Sequence, residues 1–498
     1  MNVNPITRLD YPDPDVIRVE DTYYMVSTTM HFMPGCEILQ SFDLVHWEHA
    51  TYVYETLDHT DAQQLKSGQN IYGQGMWAAS LRYHEGRFYI CFVANDTRKT
   101  YLYTSEKIDG PWKKQLIEGF YHDGSLLFDE DGRNYIVYGN DEIWITELNE
   151  DLTAPKKDGL HRLLVSDHKN PELGYEGSHI QKINGYYYIF LIHSQRDRWM
   201  RTEACFYSDS LEGEFTGGDV LCDDRGYCGQ GVAQGGIVDT PDGKWYAMLF
   251  QDSGAVGRIP ILLPVTWKDH FPFFGQNGHV PEEIEVHSTR PGYIYQPLVG
   301  SDDFCNGLLP RWQFNHDPDP RYYHLDALQG TYTITTREVC TELTQAVNTL
   351  TQRMSYPSCA AEVTVDASAL KEGDVAGLCA LQGCYAAVGI TKHHGKYEVL
   401  MLDKKEDGIL DMTEGTVVES HQMDFRLEAD FCNMKDEARC YYRVNKGDWL
   451  PIGTVHKLYF KLDHFTGCRF GLFCYAAEET GGSACFRDFK YYDVDEIS

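Results

Sequence analysis

In the stretch RLDYPDPDVIR, residues 8–18, Asp13 stands between Pro12 and Pro14. Proline fixes its own φ and pushes the residue before it toward an extended conformation. Asp13 is therefore presented from a stiff segment at the entrance to an apolar, strand-like run. Two later stretches also carry an acid just ahead of an apolar run: Asp123 in HDGSLLFDEDG and Glu176 in YEGSHIQKING. Taken singly, each acid reads as an ordinary turn residue. If the three meet in space, like charge and removal from water drive their pKa values apart. One then serves as proton donor and another as proton acceptor. A glycosidic bond is broken in this way: one acid protonates the leaving oxygen while the other activates water or attacks directly.

The elements that must bring the acids together are visible as a repeat. EDTYYMVS (20–27), EGRFYICF (85–92), DGRNYIVY (131–138), NGYYYIFL (184–191) and DGKWYAML (242–249) each enter an aromatic-rich strand from a turn residue. The second aromatic position falls at Tyr24, Tyr89, Tyr135, Tyr188 and Tyr246, at intervals of 65, 46, 53 and 58 residues. That spacing is about one four-stranded propeller blade each. A short strand precedes each hairpin, and segments with a 3.6-residue apolar period are nearly absent. The expectation is an all-β chain whose first part, residues 1–295, is a five-bladed β-propeller. Counting back from the repeat tyrosines, Asp13 lies 11 residues before Tyr24, Asp123 12 before Tyr135 and Glu176 12 before Tyr188. Equivalent positions on the inner strands face one another across a central funnel. Trp77 occupies this point in the second blade and Gln234 in the fifth.

Composition narrows the ligand. The 498 residues carry a formal net charge of −32, without a Lys/Arg cluster, which argues against nucleic acid and anionic membranes as partners and favours a neutral ligand. Aromatic residues reach 13%, a fraction suited to sheet cores and to stacking on sugar rings. The 15 cysteines are scattered, many within apolar runs, and show no zinc-binding spacing. Buried free thiols in a reducing compartment, together with an N-terminus unlike a signal peptide, give an expected cytoplasmic location. No metal ligand set is expected.

These stretches together resemble glycoside hydrolase family 43, in order and over nearly the whole chain. The resemblance implies a five-bladed propeller and an inverting hydrolase. By likeness to the family's motifs, Asp13 would be the general base, Asp123 the carboxylate that orients the acid and tunes its pKa, and Glu176 the general acid, kept protonated by burial and by Asp123. GAVGRIPILLPVTW resembles the last-blade motif whose arginine pairs with the tuning carboxylate, so Arg258 would support Asp123. Two departures stand out. WAAS (77–80) replaces the Trp-Ala-Pro-Asp of many relatives, and Gln234 stands where many carry a metal- or water-binding histidine. No cofactor is required on this reading, and a structural calcium is not supported.

HFMPGCE (31–37) looks like the loop that walls off the sugar pocket, making Phe32 and Trp77 the expected stacking residues. Arg201, with Arg198 and Trp199, could reach a further sugar unit. After an extended linker, spaced alternating strands suggest a β-sandwich over residues 296–498. DDFCNGLLPRWQFNHDPDP and LTQR resemble the concanavalin A-like jelly roll attached to β-xylosidases of the family. In relatives that domain can push a loop toward the pocket, and Trp312, Phe314 and His316 are the residues considered for it, with core packing the favoured reading. The expected activity is exo-acting removal of a terminal pentose, β-D-xylose or α-L-arabinofuranose, from xylan- or arabinoxylan-derived oligosaccharides. The alternatives are a non-catalytic carbohydrate-binding propeller, an endo-arabinanase and a protein-interaction propeller.

Overall fold

The computed structural model describes residues 2–413 and 415–493. Helical structure among these residues is confined to three 3₁₀ turns, and the rest of the regular structure is antiparallel sheet. Five four-stranded sheets follow in sequence. Blade I runs from Asp15–Val19 to Glu48–Tyr54, blade II from Met76–His84 to Lys113–Ile117 and blade III from Ser125–Phe128 to His161–Ser166. Blade IV runs from Glu176–Ile183 to Thr216–Leu221, and blade V from Ala233–Asp239 to Phe271–Phe274. In each blade the first strand is innermost. Glu85–Gly86 and Asn184–Gly185 both have positive φ at the two central turn residues, the conformation that matches the twist of a two-residue hairpin.

The alternating aromatic and aliphatic residues of the repeat pack between blades. Val26 and Ile38 of blade I meet Leu81 and Ile90 of blade II. Leu102 meets Ile136, Val137 meets Ile189, and Phe190 meets Leu249 at the next three joints. Tyr23 and Met25 of blade I close the ring against Tyr246 and Met248 of blade V. Burying one such side chain is worth roughly 1.5–3 kcal/mol, so the joints carry much of the folding free energy. Asn2–Val3 pairs with Glu283–Ile284, and the Asn4 side chain donates to the carbonyls of Leu262 and Pro281. The two ends of the propeller are thus tied directly.

The second half is a sandwich of a nine-stranded and a seven-stranded sheet around one core. Its larger sheet does not stop at the domain boundary. Phe32–Met33 of blade I adds to it as an edge strand, pairing with Phe314 and Asn315. Ala255, Val256 and Ile259 of blade V enter the sandwich core. Between these contacts lies a buried ion pair, Arg353 Nη1 to Glu37 Oε2 at 2.8 Å, with the Arg353 guanidinium also 4.1 Å over the Tyr11 ring. The propeller and sandwich are joined by sheet, core and charge together.

Candidate active site

The three acids sit at the entrances of inner strands, and the backbone there explains why. Asp13 and Asp123 adopt positive φ, 52° and 47°. Aspartate is one of the few residues that tolerates this region. Strand pairing also corrects the sequence register. Asp15 pairs with Val26 and Ser125 with Val137, so Asp13 and Asp123 each lie two residues ahead of an equivalent pair. In blade IV that pair is His179 with Phe190, and two residues ahead of it is Gly177, with φ 63°. Glu176 is therefore one residue earlier than its counterparts. A bulge between Glu176 and His179 absorbs the slip.

The acids nevertheless share one electrostatic neighbourhood. Asp123 Oδ2 accepts the Gly177 N–H at 3.1 Å and lies 3.5 Å from His122 Nε2. The same nitrogen is 3.5 Å from Glu176 Oε2, which accepts Asn140 Nδ2 at 2.5 Å. Burial pushes the Asp123 carboxyl up to about 6, with Glu176 and Asp13 reinforcing it and His122 opposing it. Asp123, then Glu176 and Asp13, push the His122 imidazole up to about 9 against the effect of burial. The cluster thus holds a proton beside the carboxylates at neutral pH. Glu176 is not sealed: its side chain keeps 21% of its exposure.

Arg258 departs from expectation. It pairs with Asp13, Nη1 to Oδ1 at 2.9 Å, rather than with Asp123, whose cationic neighbour is His122. The reason is topological. Arg258 opens the third strand of blade V, and the ring closes by placing blade V beside blade I. Asp13 Oδ2 accepts Thr28 Oγ1 at 2.6 Å, so both oxygens of that carboxylate are held.

The floor of the site is closed. Asp15 Oδ2 accepts Arg82 Nη1 and the Leu81 N–H, each at 2.7 Å, while Oδ1 faces His179 Nδ1 at 3.1 Å. Arg82 Nη2 also donates to Ser125 Oγ at 2.7 Å. Burial alone would raise the Asp15 carboxyl, but Arg82 and His179 outweigh it and hold it below the usual range. This plug draws on four blades. Below it, at the far end of the channel, lies a cavity of about 420 Å³ lined by Arg18, Phe128, Lys182 and Trp245. None of the three acids lines that cavity, so charge and convergence, not volume, identify the site.

A wall comes from the sandwich. Phe465 lies 5.6 Å from the Trp77 ring and 4.3 Å from the Arg258 guanidinium, and its carbonyl accepts Arg258 Nη2 at 3.4 Å. Asp10 braces this contact, accepting the Arg258 N–H at 2.7 Å and the Gly467 N–H at 2.8 Å. The sandwich residues considered for a pocket loop are packed instead, as core residues would be. Trp312 is in the sandwich core, donating to Asp302, while Phe314 and His316 belong to the domain seam. Phe32 is also corrected. Its ring is 2% exposed and capped at 3.4 Å by the Arg469 guanidinium, so it packs the seam and leaves no face for a sugar. Trp77 is half-buried, 5.8 Å from His122, and remains an aromatic wall. Arg201 pairs with Asp252 at 2.7 Å and flanks Phe250, whose ring also lies 5.4 Å from Arg258. Gln234 packs on Gly177, where a Cβ would come within 2.7 Å of its Cδ.

The sequence matches the profile of Glycosyl hydrolases family 43 over residues 3–272. The chain belongs to this family. Residues 301–492 match the Beta xylosidase C-terminal Concanavalin A-like domain. As a family 43 glycoside hydrolase, the chain is 26% identical to a beta-xylosidase of Formosa agariphila over 99% of its own length and 89% of the relative's. It is also 26% identical to a non-reducing end alpha-L-arabinofuranosidase of Bacteroides ovatus, over 66% of this chain and 63% of that one. A bifunctional GH43-CE protein of Bacteroides eggerthii superposes with a TM-score of 0.93 at 42% identity. That likeness covers all of this chain, which spans 64% of the length of that protein. An engineered GH43 enzyme with endo-xylanase and exo-arabinofuranosidase activity gives 0.86 at 27% identity, over 99% of both chains.

His122, Asn140 and Phe465 were not singled out from sequence. His122 could have been, since it directly precedes Asp123 in the motif. Phe465 carried no signal, because it lies in a different domain 289 residues beyond Glu176.

Proposed function

We propose that this glycoside hydrolase removes a terminal pentose, β-D-xylose or α-L-arabinofuranose, from the non-reducing end of short xylan- or arabinoxylan-derived oligosaccharides, with inversion. The observation that carries the reading is the convergence of Asp13, Asp123 and Glu176 with His122 above a plugged channel. A plugged floor and a wall at Phe465 favour a chain end over the middle of a polymer. Relatives along this chain are described as xylosidases and arabinofuranosidases.

Asp13, held by Arg258 and Thr28, takes a proton from water as the water attacks the anomeric carbon. Glu176 gives a proton to the leaving oxygen. His122, positively charged, stands between Glu176 and Asp123 and balances the charge each proton movement creates. Both proton transfers are assigned to side chains. Inversion requires room for water between base and acid, roughly 6.5–9.5 Å between their carboxyl groups. Buried thiols such as Cys36, Cys205 and Cys468 favour a reducing compartment, in keeping with small imported substrates.

The test is hydrolysis of aryl β-D-xyloside against aryl α-L-arabinofuranoside, with the released anomer followed by NMR. Turnover of either with inverted configuration is expected. Sugar binding without turnover would replace the hydrolase by a carbohydrate-binding propeller.

A further inference from the structure

Glu203 lies on the third strand of blade IV, Arg201–Ser208, and is fully buried. Its Oε2 accepts the Gln234 N–H at 2.7 Å, and Oε1 has no hydrogen-bond partner. Burial pushes its carboxyl well above the usual range, against the opposing effect of the Gln234 N–H. A buried carboxyl with one oxygen left without a hydrogen bond is costly to keep, and the catalytic steps proposed above do not use it.

Its partner explains its presence. The inner strand of blade V carries a bulge between Ala233 and Gly236, the same irregularity that blade IV carries between Glu176 and His179. In a bulge the extra residue loses its ladder partner. Gly177 in blade IV and Gln234 in blade V are the equivalent left-handed residues, with φ 63° and 57°. In blade IV the freed N–H of Gly177 goes to Asp123, a carboxyl of the preceding blade. In blade V the freed N–H of Gln234 goes to Glu203, again a carboxyl of the preceding blade. The two bulges are in contact, because the Gln234 side chain fills the space over Gly177. The backbone entering blade V also runs so close to blade IV that a Cβ on Gly231 would meet the Arg201 carbonyl at 1.8 Å.

We infer that Glu203 is a positioning residue for the hydrolytic reaction: it pins the blade V bulge, and through Gln234 it fixes Gly177 and so the spacing of Glu176 from Asp123. This rests on the proposed roles of those two acids. A conservative amide keeps the acceptor, and removal of the carboxyl orphans the Gln234 N–H and lets the bulge relax.

The experiment compares Glu203→Ala with Glu203→Gln in the full chain, reading kcat and KM on the better aryl pentoside and the His122 imidazole titration by NMR. Glu203→Ala is expected to lower kcat between about 10- and 100-fold with little change in KM, as misplaced catalytic groups do. It should also displace the His122 midpoint, which reports the distance to Asp123 and Glu176 without substrate. Glu203→Gln should retain both properties. A folded Glu203→Ala with wild-type kcat and His122 titration overturns the inference, as does Glu203→Gln impaired to the same degree as Glu203→Ala. If Glu203→Ala does not fold, Gln234→Ala carries the test, because it removes the side chain leaning on Gly177 while keeping the bond to Glu203. It should move the His122 midpoint, and an unmoved midpoint overturns the inference. A wild-type protein that hydrolyses neither pentoside would sink the proposed function, while the substrate-free titration would still decide the role of Glu203.

Discussion

His122 at the catalytic end of the channel and His464 at the seam between the domains are both largely enclosed among aromatic rings, and they respond to enclosure in opposite ways. His122 has Asp123 and Glu176 beside it and is pushed up to about 9. His464 lies parallel to Tyr72 at 3.9 Å, and burial pushes it down to about 4 despite Asp463. His31 and His316, 4.8 Å apart in the same seam, are held well below the usual histidine range by burial, reinforced by His464 in both cases and by His316 at His31. The balance between burial and the nearby carboxylates decides the outcome: Asp123 and Glu176 outweigh burial at His122, and Asp463 does not outweigh it at His464. One cluster is built to carry a proton, the other to stay apolar and tight. Phe465, adjacent to His464, is where the two regions meet.

The largest separation between the regions should come from Glu176→Gln. Loss of a general acid costs about 10²–10⁴ in rate, while the melting temperature should stay near wild type, since the side chain holds no seam contact. A matching fall in melting temperature would show that the two regions are not separable. Arg353→Met should do the reverse. It leaves Glu37 buried without its cation, which costs about 3–5 kcal/mol, read by denaturant unfolding, and activity should fall only as far as Phe465 loosens.

Phe465→Ala sits on the border and should be smaller in both readings. It removes one wall of the pocket, so KM should rise by about tenfold or less, the worth of one aromatic contact, with unfolding unchanged. An unchanged KM would mean that the sandwich plays no part in sugar binding.

The subtlest test is pH. The seam histidines have folded-state values below the unfolded 6.5, so the unfolded chain binds more protons in that window. Their contribution is complete above about pH 6.5 and is lost as pH falls toward 4, the value for His464. His122 runs the other way: its contribution is complete below 6.5 and is lost as pH rises through about 9. Asp123 should bend kcat/KM near pH 6. His122→Ala removes the cation that lowers Asp123, so this bend should move to higher pH. A bend that stays in place would remove His122 from the cluster.

Much of this was readable along the chain. The five tyrosine-bearing hairpins announced the blades because strand periodicity and turn chemistry are local. The same hairpins brought three remote acids to one funnel. The reading failed where one residue of register mattered. Equal counts back to Tyr135 and Tyr188 made Asp123 and Glu176 look equivalent, but the blade III hairpin is one residue longer and the blade IV bulge shifts Glu176 by one. It failed again at Phe32, whose apolar character was right for burial and silent about which surface would cover it.

Residue order by itself therefore determined the all-β class and the blade count and pointed to three acids that the fold brings together, because each follows from patterns within a few tens of residues. Only the folded chain decided that Arg258 holds Asp13, that His122 reaches Glu176, that Phe465 forms a wall and that Glu203 backs Gln234. Those pairings depend on the packing of adjacent blades, on ring closure and on domain docking, which bring together groups separated by tens to hundreds of residues. No local periodicity encodes which of several nearby carboxylates a buried cation will reach.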